Sequence, residues 1–352
     1  MPAALDSHDA GDFLAVAELN DAILLDTWGN LDRSDLPAAL LQEWRDNSYW
    51  QVRAFFVRQA GQMAGSGWVR YGLRENLRSA FLHVQVRGEF TGRGIGRALL
   101  LYAQELAAAR GRTILQSFTE HPADFDPEGP GVIRPATGTG SLPGAAPGVR
   151  FAVAAGYRLE QVERFSVLDV PSDAGSWDAL EREARLKAGD DYELLAWTGN
   201  CPDTYIDEFA VLMSRMSTDT PTGALSYDEE DWDAARVRHV EGIRQQAGII
   251  SLVAVARHRP SGTLAAYSVL QLTPSKPELA DQDDTLVARA HRGHRLGMLV
   301  KLLNLRRLRT DYPLVERVIT FNAAENGHML AINTALGFRP AGWDGEWQRT
   351  ID

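Results

Sequence analysis

The two halves of this 352-residue sequence repeat one order of helical and strand-like segments. In the first half, apolar alternation predicts strands over residues 50–59, 65–71 and 80–86, and a glycine-rich turn then leads into a helix. The second half repeats this series and reaches the same kind of turn and helix at Gly297. Because the period is far longer than that of a solenoid, the pattern predicts two copies of one α/β domain.

Two landmarks set the register of the repeat. Gly297 lies 201 positions after Gly96, whereas Gly337 lies only 181 positions after Gly156, so the first half carries 20 additional residues. These residues fall in the segment 120–150, whose many Gly and Pro residues prevent long regular structure. The segment is either a functional loop or a tolerated surface insertion.

The boundary between the two copies is indicated by Pro171-Ser172-Asp173, which follows the last strand of the first half. We expect an N-terminal domain over residues 1–171, a linker helix over 172–188 and a C-terminal domain over 189–352.

Composition excludes several classes of protein. Apolar residues make up 45% of the chain and charged residues 24%, which is typical of a globular protein. There is no apolar run of membrane-spanning length and no signal-peptide pattern at the start, and Cys201 has no cysteine to pair with. These features predict a cytoplasmic protein that spans no membrane. The net charge of −11 argues against nucleic acid and favours cationic partners such as amines, although solubility alone explains most of the carboxylates.

A strand–turn–helix segment in each half carries the strongest chemical signal. In the first half Val84-Gln85-Val86 is followed by a turn with glycines at 92, 94 and 96, and in the second Thr285-Leu286-Val287 is followed by a turn with glycines at 293 and 297. Such a turn directs backbone N–H groups and the positive end of a helix dipole at one point, which makes an anion site suited to a pyrophosphate. Neither turn has the lysine of a P-loop, and neither has the glycine spacing of a dinucleotide fingerprint.

The remaining pattern, Gln/Arg-x-x-Gly-x-Gly/Ala after a strand, resembles the loop of the GCN5-related N-acetyltransferase (GNAT) superfamily. The helix that runs from Asn326 to Gly337-Phe338 resembles the last helix of that family, and Phe151 to Gly156-Tyr157 resembles the same place in the first half. The resemblance covers nearly the whole chain twice, as in the tandem GNAT proteins of actinobacteria, a group that includes mycothiol synthase.

The resemblance implies two domains, each a mixed, mostly antiparallel central sheet flanked by helices, and an acetyl-CoA-dependent transfer to a small amine. It implies that acetyl-CoA would be held in the first half by Val84, Val86, Thr91, Gly92, Arg93, Gly94, Ile95, Gly96 and Arg97. In the second half the corresponding residues are Leu286, Val287, Ala288, Arg292, Gly293, His294, Arg295, Leu296, Gly297, Asn322 and Asn326. Two positions depart from the pattern, because Thr91 replaces the usual Gln or Arg and Arg295 replaces a glycine.

The resemblance also suggests where catalytic groups would lie. Asp281 and Asp284 stand at the entrance to the key strand of the second half as candidate bases, with Tyr267 on the preceding strand as a donor or pocket residue. In the family a tyrosine on the last helix often acts as the general acid that protonates the sulfur. The corresponding residue is Asn333 in the second half and Ala152 in the first. These residues favour the second half as the catalyst, although the glycines of the first half match the loop of the family more closely.

Two other functions stay open at this point: an acyl-CoA-binding regulator without turnover, and an interaction scaffold with empty loops. We expect no metal, and a monomer or weak dimer.

Overall fold

The computed structural model describes residues 1–171, 173 and 175–351, and these form two compact units. The first unit comprises Met1–Glu163, Thr222–Asp228 and Gly342–Asp352, and the second comprises Arg164–Pro221 and Glu229–Ala341. The last residues of the chain therefore belong to the first unit. Residues 172 and 174, where the predicted linker helix begins, lie outside the described residues, and the predicted boundaries stay a prediction.

The strands follow one another as β1 (Trp50–Gln59), β2 (Gln62–Gly72), β3 (Ser79–Val86), β4 (Ile114–Pro122), β5 (Val132–Ile133), β6 (Leu142–Pro143), β7 (Arg158–Asp169), β8 (Tyr192–Thr198), β9 (Ile250–His258), β10 (Leu264–Leu272), β11 (Leu279–Val287), β12 (Arg317–Ala323) and β13 (Arg339–Thr350). The α-helices are α1 (Gly11–Trp28), α2 (Pro37–Glu43), α3 (Ile95–Ala108), α4 (Pro147–Ala154), α5 (Gly175–Ala188), α6 (Ile206–Asp219), α7 (Ala234–Gln246), α8 (Leu296–Asp311) and α9 (Gly327–Leu336). Among the described residues, no helix has both the length and the apolar character that a membrane crossing requires.

The sheet of the first unit runs in the order β1-β2-β3-β4-β13. Strands β1, β2 and β3 are antiparallel neighbours, and β13 from Gly342 onward is antiparallel to β4. Only β3 and β4 run parallel, and their pairing extends from Ser79–Ile114 to Phe81–Gln116. The predicted mixed, mostly antiparallel sheet is thus confirmed in this unit.

The second unit repeats the arrangement with the order β12-β11-β10-β9-β8. Its antiparallel strands lead to one parallel pair, β11 and β12, joined from Leu279–Arg317 to Gln282–Thr320. Because β11 begins at Leu279, Asp281 and Asp284 lie within the strand, and their expected place at its entrance is wrong. The acidic run resembles a turn in sequence, but Leu279, Ala280 and Gln282 are buried and anchor it in the sheet.

The predicted register of the repeat is confirmed by matching contacts. A side chain at Gly96 would meet Val86 at 3.5 Å and Phe151 at 3.6 Å, whereas one at Gly297 would meet Val287 at 3.5 Å and Ile332 at 3.2 Å. These partners are separated by the same two intervals, 201 and 181, as the sequence landmarks. Each glycine therefore allows its helix, α3 or α8, to approach the strand that precedes it.

Helices cover the sheets and bury their apolar faces. In the first unit α1 and α2 contribute Phe13, Leu41 and other side chains to a core that includes Val52 and Met63 of the sheet. Full burial of one such side chain stabilises the fold by roughly 1.5–3 kcal/mol.

Candidate functional site

A cavity of about 620 Å³ lies in the first unit where β3 and β4 separate. The two strands stop pairing after Phe81 and Gln116, and residues beyond this point on both strands line the cavity. Helices α1, α3 and α4 complete its wall. A volume of this size lies within the range of about 300–1,000 Å³ that is usual for small-molecule sites.

The glycine loop of the first half follows Val86, a cavity residue at the end of β3, and leads into α3. Gly92 and Gly94 adopt left-handed φ angles of 73° and 83°, which glycine permits at little cost. The first N–H groups of α3 have no partner within the helix, so the loop presents donors for an anion. Thr91, Arg93 and Arg97 are exposed beside it.

Backbone donors also face the separated strands. The Arg87 N–H donates to the Ala64 carbonyl on the β2 side at 3.0 Å. Because N–H groups alternate in direction along a strand, those of Val84 and Val86 point the other way, towards β4. Both predicted cofactor residues therefore line the cavity with a donor directed at the gap.

His83 is a cavity residue that the sequence interpretation missed. Its imidazole stacks on the Phe118 ring with centroids 4.5 Å apart, and it lies 6.0 Å from the Trp68 ring. Burial lowers the pKa of His83 below its usual 6.5, so the ring is neutral at neutral pH and able to accept a proton. The repeat interval contained a signal for this residue, because His83 stands 201 positions before the candidate base Asp284.

A buried ion cluster forms part of the cavity wall. Arg33 donates to Glu120 Oε1 at 2.6 Å and to Asp344 Oδ2 at 2.7 Å, and the Trp28 indole donates to Glu120 Oε2 at 3.2 Å. Only 7% of the Arg33 side chain is exposed, so its charge is compensated by the two carboxylates rather than by water. Burial raises the pKa of Asp344 to about 6 against the lowering effect of Arg33.

The extra segment of the first half contributes to the same cavity. Its strands β5 and β6 pair, and Leu142 is fully buried beside Gly345. Pro143 and the start of α4 then line the cavity. The segment is therefore packed against the unit and shapes the site, which favours the interpretation as a functional loop.

Burial of His121 makes the stability of the protein depend on pH. Its ring is 5% exposed, contacts Thr119 Oγ1 at 2.9 Å, and has a pKa lowered by burial from 6.5 to about 4. Below pH 6.5 the unfolded chain binds a proton that the folded chain does not, so stability should fall as the pH drops towards 4. The free energy of unfolding of the unmodified protein and of His121→Gln can be measured with urea at pH 7 and pH 4. We expect the loss of stability between these two pH values to be smaller by about 1–3 kcal/mol in His121→Gln. An unchanged pH dependence would contradict this.

In the second unit the structure brings together two of the predicted catalytic residues. The fully buried Tyr267 hydroxyl donates to Asp284 Oδ2 at 3.2 Å. Burial, reinforced by the nearby Asp283 carboxylate, raises the pKa of Asp284 to about 7. The cavity beside this pair measures only about 20 Å³, which is room for about one water molecule. Asp281 is the third residue of β11 and pairs with Ile319 of β12.

The predicted asparagines also form contacts within the second unit. Asn326 caps α9 by accepting from the Met329 N–H at 3.2 Å, as capping geometry predicts. The side chain of Asn333 is fully buried and donates to Asn322 Oδ1 at 2.6 Å. Among the described residues, the Asn333 Oδ1 atom has no hydrogen-bond partner.

Three arginines of the loop in the second unit pair with carboxylates. Arg289 and Arg292 lie 2.9 Å and 3.7 Å from the Asp219 carboxylate, whose side chain is only 5% exposed. Arg295 takes a left-handed φ of 57° that favours glycine, and it pairs with Glu183 at 3.0 Å. Ala288 donates to Ala265 on the β10 side, so the Val287 N–H faces β12.

The remaining predicted loop residues of the second unit are placed as follows. Gly293 has a φ of 86°. Leu286 and Leu296 are buried. The His294 ring centroid lies 5.3 Å from that of Tyr192.

Comparison with solved structures identifies the fold. The chain is similar to a tandem GNAT protein from the clavulanic acid biosynthesis pathway, with 24% identity, a TM-score of 0.72 and coverage of 97% of this chain and 96% of the other. It also resembles a GCN5-related N-acetyltransferase from Sphaerobacter thermophilus, with 15% identity, a TM-score of 0.62 and coverage of 97% and 93%. A glucosamine N-acetyltransferase region of a fungal multi-domain GH3 β-N-acetylglucosaminidase matches with 15% identity and a TM-score of 0.60, covering 97% of this chain and 37% of that one.

No family model and no curated protein matches the sequence. The chain therefore has the tandem GNAT fold, as its sequence motifs predict, whereas the likeness to mycothiol synthase stays a prediction.

Proposed function

We propose that this protein is an acetyl-CoA-dependent N-acetyltransferase that acts on a small amine by direct transfer, and that the first unit carries the reaction. The observation that supports this most is the cavity of about 620 Å³ between β3 and β4, which is lined by Val86 at the end of β3, ahead of the glycine loop, and by the neutral His83. The sequence interpretation favoured the second unit because of its aspartates, but the cavity beside Asp284 offers no comparable room.

In this proposal the N–H groups of the loop and of α3 bind the pyrophosphate of acetyl-CoA, which supplies the thioester when bound. An N–H of Val84 or Val86 donates to the thioester oxygen and stabilises the negative charge that develops there. His83 accepts a proton from the attacking amine, so that a C–N bond forms while the C–S bond breaks.

The departing thiolate needs a proton, and Tyr157 is the hydroxyl in the cavity wall suited to give it. Gln104 donates to the Tyr157 oxygen at 3.3 Å, which leaves the phenol proton available to a second partner. Burial raises the pKa of Tyr157, so the group stays protonated at neutral pH. In this proposal Tyr157 has the role of the family's tyrosine, whose own position holds Ala152 in this sequence.

Calorimetric titration of acetyl-CoA into two matched variants tests the location of the site. Gly96→Leu adds a side chain against Val86 and Phe151, both of which line the cavity, whereas Gly297→Leu adds the same side chain in the second unit. We expect one binding site in the unmodified protein, with affinity lost by at least about 100-fold in Gly96→Leu and kept in Gly297→Leu. Gly96→Ala is the control for folding, because its single carbon makes only ordinary contacts.

Loss of binding in Gly297→Leu instead would place the site in the second unit, where the Tyr267–Asp284 pair is the second candidate for catalysis. Binding without any acceptor-dependent release of thiol would favour the alternative of an acyl-CoA-binding regulator. Absence of binding would overturn the proposal.

A further inference from the structure

One wall of the cavity is built from aromatic rings. Trp68, His83 and Phe118 belong to the neighbouring strands β2, β3 and β4, and their rings follow one another across the sheet. Trp44, which is 7% exposed, lines the same cavity from the end of α2. Flat rings of this kind bind an apolar or aromatic body better than a small polar one, because they offer a large contact area and few hydrogen-bonding groups.

The charged side chains that line the cavity are predominantly acidic. Arg33 is neutralised by Glu120 and by Asp344, and the two cavity histidines, His83 and His121, have lowered pKa values and carry no charge at neutral pH. Two further carboxylates, Asp35 and Asp124, belong to exposed residues and line the solvent-facing part of the wall. The cavity therefore has a negative electrostatic balance, which favours a cationic guest and disfavours an anionic one.

From these two features we infer the class of acceptor: an amine with an aromatic or bulky apolar skeleton and no carboxylate near the reacting nitrogen. The ring wall binds the skeleton, and the acidic lining attracts the ammonium form. This form releases one proton to solvent to become the neutral amine, and His83 accepts the second proton as the C–N bond forms. Free α-amino acids are disfavoured by the same charges, because their carboxylate would enter an acidic cavity in which Arg33 already pairs with Glu120 and Asp344. This inference rests on the proposed function of the first unit.

Four amines that differ in one feature at a time test this inference in an assay of thiol release from acetyl-CoA. Phenylethylamine has the ring and no carboxylate, ethylamine lacks the ring, phenylalanine adds a carboxylate, and phenylalaninamide adds an uncharged group of the same shape. We expect kcat/KM for phenylethylamine to exceed that for ethylamine by at least about tenfold. We expect phenylalaninamide to exceed phenylalanine by at least about tenfold when each kcat/KM is divided by the fraction of neutral amine, because the amide lowers the pKa of the neighbouring amine.

The variant Asp35→Asn tests how the negative charge of one cavity carboxylate affects this discrimination, because it removes the charge and nearly preserves the shape of the side chain. It should narrow the ratio between phenylalaninamide and phenylalanine by about threefold to tenfold, because one repulsive carboxylate is removed. Asp26→Asn changes an exposed aspartate of α1 that does not line the cavity, and it should leave that ratio as it is.

Equal rates for phenylalanine and its amide, or a ratio that Asp35→Asn does not change, would overturn the inference about the acceptor and leave the proposed function standing. Absence of thiol release with all four amines, together with absence of acetyl-CoA binding, would overturn the proposed function and the inference with it.

Discussion

Replacing His83 by glutamine is expected to lower kcat for acetyl transfer by about 100-fold or more, because a positioned general base contributes about 10²- to 10⁴-fold. Glutamine keeps a flat polar group beside Phe118 but cannot accept a proton at neutral pH. Since His83 lies on the wall of the cavity and outside the glycine loop, the affinity for acetyl-CoA should change little. The readouts are single-turnover kinetics and calorimetry on the same variant.

The pH profile distinguishes a base from a ring that only packs. His83 has a pKa below 6.5, and only its neutral form accepts a proton. The value of kcat/KM should therefore show no His83-dependent loss near pH 7 and should fall in acid, with a limb below pH 6.5 that His83→Gln abolishes. If His83→Gln retains kcat and the acid limb, His83 is not the base. A loss of turnover in Asp284→Asn, the equivalent position of the repeat, would assign catalysis to the second unit.

Lys301→Leu is expected to raise the free energy of unfolding at pH 7 by about 1–4 kcal/mol. The lysine lies on α8 with 1% of its surface exposed, and burial lowers its pKa from 10.5 to about 7. Its nitrogen lies 5.5 Å from the centre of the Phe338 ring, a contact that offsets only part of the cost of burial. The equivalent position of the first half, 201 residues earlier, is Leu100. Leucine is therefore already used at this position of the fold.

The gain from Lys301→Leu should shrink as the pH rises. Between pH 7 and pH 10.5 the unfolded chain binds a proton at this lysine that the folded chain does not, so the unmodified protein becomes more stable as the pH increases. Denaturant unfolding at pH 7 and pH 10 measures this difference, and Lys187→Leu on the exposed surface of α5 is the matched control. A loss of stability in Lys301→Leu would show that the ammonium group has a favourable partner in the folded protein.

The repeat was predictable from sequence because it depends on local chemistry. Gly96 and Gly297 must lack a side chain for α3 and α8 to approach Val86 and Val287, and the interval between them revealed the duplicated fold. The strand at Asp281 and Asp284 was harder to predict, because its acidic residues resemble a turn and are held in the sheet by buried neighbours on adjacent strands.

The candidate site was only partly predictable from sequence, because its assignment to the first unit depends on the size of a cavity. Whether the strands enclose space depends on side chains from α1, α4 and the inserted segment, which are far apart in sequence. The pairing of Arg289 and Arg292 with Asp219 was equally difficult to predict, because Asp219 lies about 70 residues earlier in the chain. His83 was missed because the candidate bases Asp281 and Asp284 are carboxylates, and the equivalent positions of the first half, Ala80 and His83, hold none.

A crystal structure of the intact protein grown with acetyl-CoA would show which unit carries the reaction. We expect the pyrophosphate to lie on the loop from Gly92 to Gly96 and the thioester to lie between β3 and β4, within reach of His83. Acetyl-CoA bound at Gly293 to Gly297 beside Asp284, with the first cavity lacking it, would contradict the account and assign the reaction to the second unit.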